Sequence, residues 1–228
     1  MRRDTTREPV ITIDGPAGAG KSTAARALAR RLGFRLVDTG ALYRALAWAV
    51  ERAGIDLADP RALRRLLDRT HVEMSGDRVL VDGRDVTDEI RTPEISRLTS
   101  VLTALAPVRD KLTPLQRTLA ARGGVILEGR DTGTVVCPDA EVKFYLDADL
   151  DTRARRRRVD LLAQGVEMDL AAVMADVVAR DRRDTERALA PLRKAEDARV
   201  VDTTGLSPED VVDQMLTAVE QARCCTRS

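Results

Sequence analysis

An α/β fold built on a parallel sheet is predicted by three features of this 228-residue chain. Short apolar runs at residues 10–13, 34–37, 125–128, 142–146 and 199–201 alternate with stretches of helical composition, the pattern of a parallel five-stranded sheet with helices on both faces. The first run leads directly into Gly15-Pro16-Ala17-Gly18-Ala19-Gly20-Lys21-Ser22, a Gly-x4-Gly-Lys-Ser phosphate-binding loop. Between residues 71 and 87 the periodicity drops to two, which marks a small antiparallel insertion.

The loop chemistry explains the residue types. Glycines at 15, 18 and 20 let backbone N–H groups converge on phosphates, Lys21 reaches the outer phosphates, and the Ser22 hydroxyl can ligate Mg²⁺. The helix expected over 22–32, rich in Ala, Leu and Arg, points its positive end at the same spot. A structural glycine-rich turn is the alternative; the order strand, loop, helix favours the nucleotide reading.

The remaining elements follow in order. Residues 1–8 read as a disordered lead-in, Gly33 as a helix stop, and Asp38-Thr39-Gly40 as the turn after the second strand. Helices are expected over 41–53 and 61–68, the second opened by Asp59-Pro60. A three-strand meander follows at 71–75, 78–81 and 85–87, in a position suited to covering a site. Helices from Thr92-Pro93 and from Pro107 lead to the strand ending at Glu128 and the turn Gly129-Arg130-Asp131-Thr132-Gly133. An Arg-dense segment lies beyond the fourth core strand, then a helix over 169–187, a fifth strand, and a last helix opened by Ser207-Pro208-Glu209, with a frayed Cys-rich tail.

Composition narrows the function classes. A net charge of +1 argues against a nucleic-acid polymer or an anionic membrane as partner. Cys137, Cys224 and Cys225 form no metal-ligand or disulfide pattern, and the single His71 cannot supply a metal cluster. No apolar run is long enough for a membrane span and no signal peptide is evident, so the expected compartment is the cytoplasm.

Three constellations carry candidate chemistry, each with a plainer alternative. On the 169–187 helix, Arg180, Asp184 and Arg187 stay near the edge of the apolar stripe Leu170, Val173, Met174 and Val177; the alternative is a solvated i,i+4 pair. Arg130 and Asp131 lie where a ligand meets the carboxyl end of a strand, or simply stabilise a turn. Arg153, Arg156 and Arg157 share a helix face that can close over phosphates; taken alone they read as a solvated run balanced by Asp149, Asp151 and Asp160.

Assembled, these stretches closely resemble the bacterial cytidylate kinases, a nucleoside-monophosphate kinase family. The likeness runs nearly end to end through residues 13–22, Asp38-Thr39-Gly40-Ala41-Leu42-Tyr43-Arg44, the meander before Ile90-Arg91-Thr92, residues 129–136, and Arg180-Asp181-Arg182-Arg183-Asp184. The resemblance implies a P-loop NTPase-type fold in one domain. Its core would span about 9–55, 92–150 and 168–222, with a monophosphate-binding insertion at about 56–91 and an Arg-rich lid at about 151–167.

It also implies that Gly15, Pro16, Ala17, Gly18, Ala19, Gly20, Lys21, Ser22 and Thr23 hold ATP, with Ser22 on the Mg²⁺. Arg44, Arg130 and Arg187 would grip the acceptor phosphate beside Thr39, where relatives often have Ser. Ser100, Arg109 and Asp131 match positions that read the cytosine edge, and Arg180 and Asp184 match positions at the ribose. Lys21, Arg130, Arg153 and Arg157 would act on the transferred phosphoryl group. Val201-Asp202-Thr203-Thr204 resembles the segment flanking the ATP base, and Glu128 stands where relatives can carry Asp. The implied activity is transfer of the γ-phosphoryl group of Mg·ATP to CMP or dCMP by a monomer. The alternatives are a kinase with an alcohol acceptor and a nucleotide-dependent switch; a guanine-specific switch is disfavoured because the chain contains no Asn.

Overall fold

The computed structural model describes residues 7–226. The chain divides into two compact units, one formed up to Val37 and from Leu119 onward, the other Asp38–Thr118. In order, the elements are β1 Val10–Asp14, α1 Lys21–Leu32, β2 Arg35–Asp38, α2 Thr39–Arg52, α3 Pro60–Arg69, β3 Val72–Ser75, β4 Arg78–Val81, β5 Arg84–Asp85, α4 Pro93–Leu102, α5 Ala106–Ala120, β6 Val125–Glu128, β7 Val142–Asp147, α6 Leu150–Ala163, α7 Leu170–Glu186, β8 Arg199–Asp202 and α8 Pro208–Thr226.

The sheet order is β2-β6-β1-β7-β8. β1 pairs in parallel with both β6 and β7, and β7 with β8. This is the expected α/β, P-loop NTPase-type parallel sheet, with β1 at the topological switch point where ligands collect beyond the strand ends. Ile11, Ile13, Ile126, Phe144 and Leu146 project from one face onto Leu28 of α1 and Val212, Met215 and Val219 of α8. Burial of each such side chain stabilises by roughly 1.5–3 kcal/mol, so this seam fixes the strand from which the loop departs.

The opposite face of β1 is polar at its end. Asp14 Oδ1 accepts from the Thr132 N–H (2.9 Å) and hydroxyl (2.8 Å), while Oδ2 accepts from the Gly133 N–H (2.7 Å). Burial pushes the Asp14 carboxyl up, against the pull of those hydrogen bonds. They anchor Thr132–Val136, which forms a single π-helical turn rather than the plain turn expected there. Gly133 is required by space, since a Cβ would lie 2.8 Å from the Thr12 hydroxyl.

α6 and α7 form a hairpin around Ala154, Leu161, Val173 and Val177. Asp149 and Asp169 cap their N-termini by accepting from Thr152 N and Ala172 N. α8 opens with a reciprocal cap in which Ser207 and Asp210 exchange side-chain and backbone hydrogen bonds.

In the second unit, β3, β4 and β5 form the expected antiparallel meander. Its third strand is shorter than 85–87, because the Thr87 N–H and hydroxyl both turn back to Asp85 Oδ1. The meander does not stand alone. Trp48 of α2 donates to Glu89 (3.0 Å), and the guanidinium groups of Arg52 and Arg84 lie over its ring at 5.1 and 5.3 Å from the centre.

Near both ends, the described residues depart from expectation. Residues 1–6 of the lead-in lie outside the described residues, but the Glu8 carbonyl accepts from Gly124 N (3.2 Å) and Arg7 donates to the Ala121 carbonyl (2.8 Å). The Cys-rich segment is not frayed: α8 continues through Cys224 and Cys225 to Thr226, and residues 227–228 lie outside the description. No helix among the described residues is long and apolar enough to cross a membrane.

Replacing Asp14 by Ala removes three hydrogen bonds and leaves two buried N–H groups without their acceptor, so a stability loss of about 3 kcal/mol is expected, read as a lowered urea midpoint.

Candidate functional site

The loop Gly15–Gly20 leaves β1 under tight steric constraint from two neighbouring backbones. A Cβ on Gly15 (φ +148°) would sit 2.0 Å from the Leu146 carbonyl oxygen, and one on Gly18 (φ +77°) 2.6 Å from that of Arg153. Only glycine fits at either position. The Gly20 N-cap then turns the loop into α1, whose first residue is Lys21. Lys21 is 6% exposed and its Nζ donates to the Pro16 carbonyl (2.6 Å). Burial, and then the charges of Arg130 and Arg180, lower its pKa, while Glu128 and Asp14 pull the other way. Ser22 and Thr23 are exposed at the first turn of α1.

Arg130, Asp131, Asp184 and Arg187 form one ion-pair chain in the first unit. Arg130 Nε donates to Asp184 Oδ2 (2.9 Å), and Arg187 Nη1 lies 3.9 Å from Asp184 Oδ1. Arg187 Nη2 donates to Asp131 Oδ1 (3.3 Å) and its Nε to the Ala190 carbonyl (2.6 Å). Asp131, Asp184 and Arg187 have side chains no more than 9% exposed, so this is an interior network and not a solvated face. Burial opposes ionisation of Asp184, but Arg130, Arg180 and Arg187 overcome it and hold its carboxyl below the usual range. Asp184 and Arg187 thus face the interior, as the inward reading of the 169–187 helix expects, and the charge of Arg180 bears on Asp184.

The Arg-rich segment is likewise not a uniformly solvated run. Arg153 donates to the Ala148 carbonyl (3.0 Å) and the Ala17 carbonyl (3.2 Å), and pairs with Asp181. Arg156 donates to the Thr203 hydroxyl and carbonyl, both at 2.8 Å. The Thr203 hydroxyl lies 3.2 Å from the Ala19 carbonyl, so the segment after β8 is joined to the loop. Arg157 is half-buried and its charge bears on Asp160. Asp151 is taken up by Arg155 (2.8 Å).

The other candidates lie in the second unit. Thr39 is buried at the start of α2, and Arg44 is half-buried on the same helix. Arg109 of α5 is 6% exposed, places its guanidinium 5.8 Å from the Tyr43 ring centre and donates to the Thr103 carbonyl (3.3 Å). The Thr103 hydroxyl donates to the Ser100 carbonyl (3.1 Å), which links Ser100 to Arg109 through one residue.

Reading of the sequence alone placed Asp14 at the end of the first strand and, by resemblance, Thr203 in the segment flanking the ATP base, but it missed the contacts that tie Asp14, Asp181 and Thr203 into this region. Their signal was position: each stands at a strand end or in a quoted motif, without a pattern that gives the partner. No group of three or more His, Cys, Asp or Glu among the described residues could hold a metal ion.

A glycine-rich loop between a central parallel strand and a helix, flanked by a buried lysine and inward-facing arginines, defines a kinase of the P-loop class. The cytidylate kinase family model matches residues 11–221, and the chain belongs to that family. A cytidylate kinase of Carboxydothermus hydrogenoformans is 50% identical over 210 residues, covering 90% of this chain and 95% of that protein. One of Geobacter sulfurreducens is 50% identical over 221 residues, covering 95% of each. The crystal structure of an uncharacterized protein from Eubacterium ventriosum shares the fold, with a TM-score of 0.51 at 14% identity over 93% of this chain and 99% of that one.

The Asp184 network makes a pH prediction. The folded carboxyl titrates below its ordinary value of 3.8, so its stabilisation is complete above that value and is lost as pH falls through the lower folded one. Asp184→Asn should cost about 3 kcal/mol at neutral pH by stranding buried guanidinium groups. Urea unfolding at pH 7, 5 and 3 should show the gap between wild type and variant narrowing only in the most acidic step.

Proposed function

We propose that this chain transfers the γ-phosphoryl group of Mg·ATP to the phosphate of CMP or dCMP, giving ADP and the nucleoside diphosphate. The observation that carries the reading is the convergence, beyond the carboxyl ends of β1 and β6, of Lys21, the phosphate loop and the network Arg130–Asp184–Arg187–Asp131, within a cytidylate-kinase chain.

In this reading residues 15–23 bind the donor phosphates, while Arg44, Arg130 and Arg187 bind the acceptor phosphate beside Thr39. Ser100, Arg109 and Asp131 read the cytosine edge, and Arg180 and Asp184 meet the ribose. Lys21, Arg130 and Arg153 neutralise charge on the transferred group. Arg157 is assigned the same role by family position alone.

Mg²⁺ prefers oxygen donors and retains waters and phosphates in its shell, so the exposed Ser22 hydroxyl suffices as a protein ligand without a carboxylate cage. When bound, the ion would draw charge from the donor phosphates. The acceptor phosphate is already anionic at neutral pH, so no general base is required; His71 is exposed beside Glu73 on the meander. Rate enhancement then comes from alignment and preorganised positive charge. The reading places the protein in the cytoplasm as a monomer.

Release of ADP from ATP should be measured over CMP, dCMP, UMP, AMP, shikimate and simple sugars. CMP and dCMP should stimulate it most, and an alcohol as the preferred acceptor overturns the assignment. Lys21→Ala should retain the fold by circular dichroism and lose about 2–4 kcal/mol of transition-state stabilisation. Arg187→Ala should raise the KM for CMP at least about tenfold, the scale of one lost charge-assisted contact, with little change in ATP binding; equal loss of both makes Arg187 structural.

A further inference from the structure

Ala17 of the phosphate loop is held on both sides by one ion pair. Its N–H donates to Asp181 Oδ1 (3.1 Å), its carbonyl accepts from Arg153 Nη1 (3.2 Å), and Arg153 and Asp181 are paired with each other. The two side chains come from different helices, α7 and α6, and are 19% and 12% exposed. Arg153 Nε is fixed in turn by the Ala148 carbonyl (3.0 Å). Asp181 has no role in the reaction set out above.

A carboxylate and a phosphate oxygen ask for the same partners: both are anionic acceptors for backbone N–H and guanidinium donors. Asp181 therefore occupies a donor pair, one backbone N–H of the loop and one lid arginine, that an incoming terminal phosphate would seek. We propose that Asp181 is a built-in competitor for the phosphate loop, keeping Ala17 and Arg153 in place and giving both up to the terminal phosphate of a nucleoside triphosphate. The exchange trades one anion for another, so the cationic group is charge-compensated before and after it. It also explains why a negative charge is kept beside an anion-binding loop, where it repels the ligand.

This inference rests on the nucleotide-phosphate reading of the loop, and its sign separates it from a structural role. A residue that merely braces the loop weakens ligand binding when replaced, whereas a competing anion strengthens it. Asp181→Asn removes the charge and keeps one oxygen acceptor for the Ala17 N–H, its amide nitrogen replacing the oxygen that accepts from Arg153, whereas Asp181→Ser removes the charge without placing an amide donor there.

Calorimetric titration of wild type, Asp181→Asn, Asp181→Ser and Asp181→Glu with Mg·ATP and with inorganic tripolyphosphate, alongside thermal unfolding, tests it. At least one folded neutral variant should bind both ligands at least about fivefold more tightly, a conservative figure for removing a screened like charge at close range, and Asp181→Glu should stay near wild type. Failure of wild type to bind either ligand overturns the nucleotide reading and this inference with it. Wild-type binding with no tightening in either neutral variant overturns the competitor role alone.

Discussion

Positive charge has to be assembled before the ligand that needs it arrives, and that constraint shapes the carboxyl end of the sheet. Burial, and after it the charges of Arg130 and Arg180, depress the Lys21 pKa, even with Glu128 and Asp14 opposing. Unbalanced, such a group would expand toward solvent and lose its aim. Asp184, Asp131 and Asp181 supply the balance: each accepts from or faces an arginine and is part of the packed interior. The carboxylates convert a repulsive cluster into a fixed array, the preorganisation on which electrostatic catalysis depends.

That array is only as well aimed as the backbone beneath it. β1 is clamped between β6 and β7, its apolar face is sealed by α1 and α8, and Asp14 at its end grips the π-helical turn that follows Arg130 and Asp131. The loop itself is pressed against the backbones of Leu146 and Arg153, so positions 15 and 18 cannot carry a side chain. The glycines thus serve two needs: they open the loop to an anion and let β7 and α6 come close enough to support it.

Most of the architecture was legible in the sequence because it rests on local signals. Alternating apolar runs gave five core strands, and caps such as Asp59-Pro60, Thr92-Pro93 and Gly33 gave helix limits within a few residues. Asp184 was legible as an inward charge because helical periodicity places it beside Val173 and Val177. The π-helical turn at 132–136 was not, since its cause is a carboxylate more than a hundred residues earlier. The same holds for Asp181 and Arg153, which meet only because two helices cross at the loop, and for Thr203, whose partners are Arg156 and Ala19. Local chemistry is written in neighbours along the chain, whereas these contacts depend on which strand ends the sheet order brings together.

The choice of arginine at positions 153 and 187 follows from the same electrostatics. Arg187 serves Asp131, Asp184 and the Ala190 carbonyl at once, and Arg153 serves Asp181 and two carbonyls. A lysine has a single compact charge centre and cannot span three acceptors in one plane. Lys21, by contrast, is needed at a point: one ammonium, buried, on the axis of the loop. A planar donor holds several anionic groups in a fixed relation, and a point charge can follow one of them as it moves. Around this loop the one buried lysine supplies a point charge, and the arginines hold several acceptors in a fixed relation.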